Sequence, residues 1–190
     1  MTPLRRALMR ATAIFAVFAL SGCETIRVVS DHDPEFSFAG YDRFAWMSEH
    51  PMIAAGPGTN PLLEGRIMAA ITETMRAKGV SLVPTAEQAD FVVSFSVGAR
   101  DRVSVTSTPY PAAYRGAWRW GRTYYNDVDV RQYTEGRLAI DIFDAREKRP
   151  VWHGYATANI SSITDRAERQ ALLREAVSKI LAEFPPKPGS

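Results

Sequence analysis

Two periodicities divide the hydrophobic and polar positions of this chain into elements. Phe91, Val93, Phe95 and Val97 alternate with Val92, Ser94, Ser96 and Gly98. A period of two puts one set on each face of a strand. The strand pattern continues through Val103 and Val105, returns at Val128, Val130, Gln132 and Thr134, and runs on through Leu138, Ile140 and Ile142. Elsewhere the period is helical. Leu63, Ile67, Ala70, Ile71 and Thr74 fall at i, i+4, i+7, i+8 and i+11, one face of a helix. Thr59 or Asn60 is the expected cap, with Pro61 in the first turn. Arg76 and Lys78 in the last turn suit the dipole, and Gly79 suits C′. A second helical face holds Leu172, Leu173, Ala176, Val177, Ile180 and Phe184; Thr164 or Ser162 is its expected cap, and Pro185 and Pro186 stop it.

Shorter runs complete the order. Thr25–Ser30 is β-branched and reads as a first strand. Asp31-His32-Asp33-Pro34 breaks it. Phe36, Phe38, Tyr41, Phe44 and Trp46, with Gly40 among them, predict an extended segment, a turn and a second strand. Residues 47–60 hold Pro51, Gly56, Pro57 and Gly58 and read as a loop. Val80–Val83 is a short strand, Asp144–Lys148 a polar turn, and Val151–Asn159 a final strand. The order ββ, α, several β, α predicts an α+β domain: a two-layer, mostly antiparallel sheet packed by two helices, with a long aromatic hairpin or loop.

Composition changes the picture at one end. The chain has 190 residues, 46% hydrophobic and 23% charged, which fits one globular domain and excludes a disordered or polytopic membrane class. The net charge of +2 comes from the leader. Arg5, Arg6 and Arg10 are the only charges before Cys23; without them 20 basic residues face 21 acidic ones, a net of −1. That removes any charge argument for nucleic acid. Three arginines followed by the apolar run ATAIFAVFAL at 11–20 form a charged n-region and an h-region too short to span a bilayer. Leu20-Ser21-Gly22-Cys23 follows, and it resembles the lipobox of bacterial lipoproteins. The resemblance implies lipidation of the Cys23 thiol, cleavage of a 1–22 signal peptide and acylation of the new amino terminus, leaving residues 23–190 as a lipid-anchored domain. Glu24, by resemblance to Gram-negative sorting, implies the periplasmic face of the outer membrane. Cys23 is the only cysteine and has no intramolecular disulfide partner.

Catalytic chemistry is sparse. The chain has no GxSxG, HExxH, P-loop or GxGxxG motif. His32, His50 and His153 are far apart. Asp31, His32 and Asp33 alternate faces in an extended segment, so they do not converge on a metal. Asn126, Asp127 and Asp129 lack the ligand number of a calcium loop. Asp141 and Asp144 are a carboxylate pair of an ordinary kind, with Asp144 placed to cap a turn. No cofactor is expected.

Three motif sets carry a wider resemblance: FSFAGYDRFAW at 36–46 with NPLL at 60–63 and AKG at 77–79; Ala89-Asp90 with the alternating strand; and GRLAID at 136–141, Asp144 and PVWHGYA at 150–156. Together they resemble the bacterial lipoprotein family known as domain of unknown function 4136, over residues 24–184. The resemblance implies an exported, lipid-anchored α+β domain with no established activity, and carries over no catalytic residue.

One segment is unusual. Tyr110, Tyr114, Trp118, Trp120, Tyr124 and Tyr125 interleave with Arg115, Arg119 and Arg122. Trp118 and Trp120 share a face if this is a strand, with Arg119 opposite. Such aromatics pack on their own sheet, or stack on sugars and partner proteins beside arginines that pair with carboxylates; a membrane-interface contact is another use. The expectation is a non-enzymatic binding module that contacts an envelope protein or peptidoglycan through this hairpin. Two alternatives stand: a hydrolase of envelope polymers using Asp141, Asp144 or His153, and a purely structural lipoprotein.

Overall fold

The structure, a computed structural model, describes residues 26–56, 59–111 and 124–186, and of 108–111 and 124–127 the backbone alone. Its elements are β1 (Arg27–His32), β2 (Arg43–Trp46), β3 (Met52–Ala55), α1 (Leu62–Ala77), β4 (Ser81–Leu82), β5 (Phe91–Pro111), β6 (Tyr124–Asp144), β7 (Pro150–Asn159) and α2 (Arg166–Ala182). Seven strands form one sheet in the order β1-β7-β6-β5-β2-β4. β3 lies beside β5 further along the edge that β2 occupies: β2 pairs with Phe91–Val93 and β3 with Phe95–Val97. The ladders β1–β7, β7–β6 and β6–β5 are antiparallel; those that involve β2 or β3 are parallel. The chain is therefore α+β with a mostly antiparallel sheet.

Both helices share one core with the inner face of the sheet. Ile67, Ala70, Ile71 and Met75 of α1, and Ala176, Val177, Ile180 and Leu181 of α2, pack with Phe91, Val93, Phe95, Leu138, Ile140, Ile142 and Trp152. Each large apolar side chain so buried contributes about 1.5–3 kcal/mol. Aromatic rings fill the end of the core near the β5 start. Tyr41 stacks on Phe91 at 4.9 Å, and Phe184 packs edge-on against Trp152 at 5.4 Å. Gly154 makes room for that indole: a Cβ there would lie 2.2 Å from the Trp152 ring and 2.9 Å from Ile180.

Local signals explain most boundaries. Asn60 accepts the Leu62 N–H at 2.9 Å, and α1 ends at Gly79, whose φ of +85° a glycine adopts freely. Two expectations need correction. Residues 47–60 are not all loop, because Met52–Ala55 pairs with β5 as β3; its sequence MIAA lacks alternation, and only the free β5 edge makes it a strand. The second helix is capped by Asp165, which accepts from Ala167 and Glu168 N–H at 2.8 and 2.9 Å, rather than by Thr164 or Ser162.

Candidate functional site

The β5–β6 ladder runs from Phe91 opposite Asp144 to Pro111 opposite Tyr124, far past its neighbours. β3 ends beside Val97, and β7 ends beside Glu135. Outward of these the two strands pair only with each other, as an arm about 35 Å long at about 3.4 Å per residue. The pleat continues along it, but Asp101, whose carboxylate accepts from the Thr134 hydroxyl at 2.9 Å, interrupts the apolar side at the arm's root. On the side that continues the core face, Val103 lies opposite Gln132 and Val105 opposite Val130, with Val128 beyond. These valines are 54–63% exposed. The other side is charged: Arg100 and Arg102 both donate to Glu135, at 2.9 and 3.2 Å, and Arg131 donates to Asp129 at 2.7 Å. Arg100 and Arg102 hold the Glu135 carboxyl below the usual range, against the opposing pull of desolvation.

Of the sequence-predicted aromatic site, Tyr110, Tyr124 and Tyr125 fall at the far end of this arm. Tyr110 pairs with Tyr125, and Tyr124 with Pro111, in its last rungs. Tyr114, Arg115, Trp118, Arg119, Trp120 and Arg122 lie outside the described residues, as does Cys23.

The residues of the hydrolase reading separate. His153 Nδ1 and Asp141 Oδ1 are 2.6 Å apart on the sheet face away from the helices. Beside them Arg137 places its guanidinium carbon 3.7 Å from the centre of the Tyr155 ring. Asp144 belongs to the opposite, core face. It accepts from Tyr41 Oη at 2.7 Å and from the N–H groups of Arg146 and Glu147 at 2.8 and 2.6 Å. Burial pushes that carboxyl up, but the three hydrogen bonds outweigh it and hold it below the usual range. The same burial, then Asp144, pushes the Tyr41 hydroxyl well up. Asp144 thus ties the β6–β7 turn to the aromatic core. Ser94 lies directly opposite Asp141 in the cross-strand row Ser94–Asp141–His153. The Ser94 hydroxyl is buried and hydrogen-bonds to neither group, so it lacks the base in contact that a nucleophilic serine needs.

A third feature had no sequence signal. Where the arm leaves the body, a cavity of about 510 Å³ lies between the inner sheet face and the first turns of the helices. Val97, Leu138 and Ala156 form its floor and Leu63, Leu172 and Leu173 its roof. No motif marks it, because it is made by small side chains distant in sequence.

Comparison with known proteins follows this architecture. The family model described as "Domain of unknown function (DUF4136)" matches residues 28–186. No match was found among curated protein sequences. A solved DUF4136 family protein from Bacteroides thetaiotaomicron is similar at 17% identity, over 84% of this chain and 96% of that one, with a TM-score of 0.50. The PelC dodecamer from Paraburkholderia phytofirmans is similar at 15% identity, over 83% and 96% of the two chains, with a TM-score of 0.48. A PDZ domain protein from Parabacteroides distasonis is similar at 12% identity over 86% of this chain and 36% of that one, with a TM-score of 0.49.

Proposed function

The chain belongs to the DUF4136 family, and within it we propose that this protein is a lipid-anchored, non-enzymatic binding module of the cell envelope, sited at the outer membrane, whose contact element is the β5–β6 arm. One observation carries the reading: two strands that would be fully paired inside the sheet continue well beyond it, with exposed valines on one side and arginine–carboxylate pairs on the other. An arm of this kind adds nothing to the core. Its role is to reach something, and its two open strand edges offer main-chain hydrogen bonds as well as side chains. Its outer end leads into the segment rich in tyrosine, tryptophan and arginine, the residue types that dominate binding hot spots. The partner is an envelope protein or peptidoglycan, aromatic faces suiting sugar rings. The anchor is Cys23 in its lipobox.

Co-sedimentation of the protein with purified peptidoglycan, beside a Trp118→Ala/Trp120→Ala variant, tests the reading. Binding that the variant loses, with unchanged thermal stability, places function at the arm and makes the cell wall the target. If neither binds, crosslinking in intact cells from arm positions is expected to capture an envelope protein; absence of both sinks the binding reading. A Cys23→Ala variant is expected to leave the membrane fraction, and a variant that stays there removes the anchor.

A further inference from the structure

The two ends of the core are filled differently. At the β5 start, Phe91, Phe95, Trp152 and Phe184 occupy the space between sheet and helices. At the root of the arm, the inner positions of three neighbouring strands are Ala99, Gly136 and Ala158, paired in one row. No side chain in that row is larger than a methyl group. The helices do not close the gap: Leu63, Leu172 and Leu173 stand over it only half-buried. The result is the cavity of about 510 Å³, within the range of about 300–1,000 Å³ that holds small ligands.

Its lining specifies an occupant. The side chains that wall it are mostly aliphatic, with no aromatic ring among the described residues. The cavity is open to solvent on one side, and its walls offer a bound molecule few polar partners. Thr59 directs its hydroxyl to the Gly56 carbonyl, and Arg169, on the rim, donates to the Thr164 carbonyl. The space therefore suits a slender aliphatic chain with its polar end outside. Ile26 also lines the cavity. Cys23 is three residues earlier in the chain, so it can lie at most about 10 Å from Ile26.

We propose that this cavity holds one acyl chain of the lipid attached to Cys23; the proposal rests on the anchor reading above. The remaining chains hold the membrane, since stable attachment takes more than one hydrophobic signal. The seated chain adds to the apolar contact that Ile160 alone gives this row at Gly136. It thereby joins the anchor to the root of the arm, so that the membrane attachment fixes where the arm points.

The test uses the full chain, made in bacteria fed a fatty acid with a diazirine near its end. Cells are irradiated, the protein is extracted and digested, and crosslinks are mapped by mass spectrometry. The expected result is a lipid mass on Cys23 and intramolecular crosslinks to the peptides that carry Leu138, Ala156, Leu172 or Leu173. Ala158→Trp, which fills the cavity, is expected to cut those crosslinks at least tenfold while the lipid mass stays. The wild-type map needs no variant, so a misfolded Ala158→Trp protein leaves the test intact. A lipidated chain whose crosslinks reach only membrane lipid overturns the proposal and spares the anchor. Cavity crosslinks that come from a separate phospholipid molecule also overturn it, because the source is then wrong. A Cys23 peptide without lipid mass removes the anchor and the proposal together.

Discussion

β5 and β6 run through two environments in one register. In the body, Phe95 lies opposite Ile140 and both are fully buried. In the arm, Val105 lies opposite Val130 on the continuation of the same face, and they are 63% and 57% exposed. Between the two pairs the same face passes through the small pair Ala99–Gly136 and the polar pair Asp101–Thr134, and then returns to valine. What changes is the cover: α1, α2 and the flanking strands lie over or beside one half only. Period two makes a strand amphipathic, but a second layer is needed to turn its apolar face into core. The body half converts its pattern into stability; the arm half keeps the same pattern as open surface.

The sharpest way to break this contrast is a matched pair of substitutions, read by urea unfolding. Phe95→Ala is expected to cost about 3–5 kcal/mol, as large-to-small changes in a packed core do. Val105→Ala is expected to stay within about 0.5 kcal/mol. Equal losses would mean that the arm's valines are covered and the two halves are alike.

Gly154→Ala probes the filled end of the body. The new methyl meets the Trp152 ring and Ile180, and overpacking of this kind costs about 1–3 kcal/mol. A variant with an unchanged unfolding midpoint would show that the indole has room to move.

Tyr41→Phe tests the tie between the β6–β7 turn and the aromatic core. Loss of a hydrogen bond to a carboxylate is expected to cost about 1–2 kcal/mol near neutral pH. The pH dependence has a definite sign. The folded Asp144 carboxyl is depressed, so its contribution is present above the ordinary aspartate value of about 3.9 and is lost as pH falls through the lower folded value. The gap between Tyr41→Phe and the parent protein should therefore narrow in acid. A gap constant down to pH 2 would mean that Asp144 does not titrate against this hydroxyl.

The smallest effect is expected in the arm's charged side. Glu135→Gln leaves Arg100 and Arg102 without their carboxylate, yet the two arginines are 58% and 43% exposed and Gln keeps an acceptor oxygen, so the melting temperature should hardly move. A clear loss would show that the arm root is packed more like the body.

Much of this was readable in the residues alone. The two helices, the long alternating strands and the turn at Asp144–Lys148 are local features, set by side-chain period, capping and backbone preference over a few residues. The resemblance of Leu20-Ser21-Gly22-Cys23 to a lipobox is local as well, a run of adjacent residues on which the proposed role of Cys23 rests. Family membership could be expected from motifs spread over most of the chain. Other features depended on partners far away in sequence. MIAA at 52–55 is a strand only because β5 has a free edge beside it. Asp141 and Asp144, three residues apart, serve opposite faces because the β6 pleat separates them. His153 meets Asp141, and Ser94 does not meet His153, because of strand order. The exposure of Val103, Val105, Val128 and Val130 follows from where the neighbouring strands stop. The cavity exists because Ala99, Gly136 and Ala158 come from three strands to stand in one row. Sequence determines what each residue can do with its near neighbours; burial, pairing and empty space are sums over the whole molecule, and only the tertiary structure adds them up.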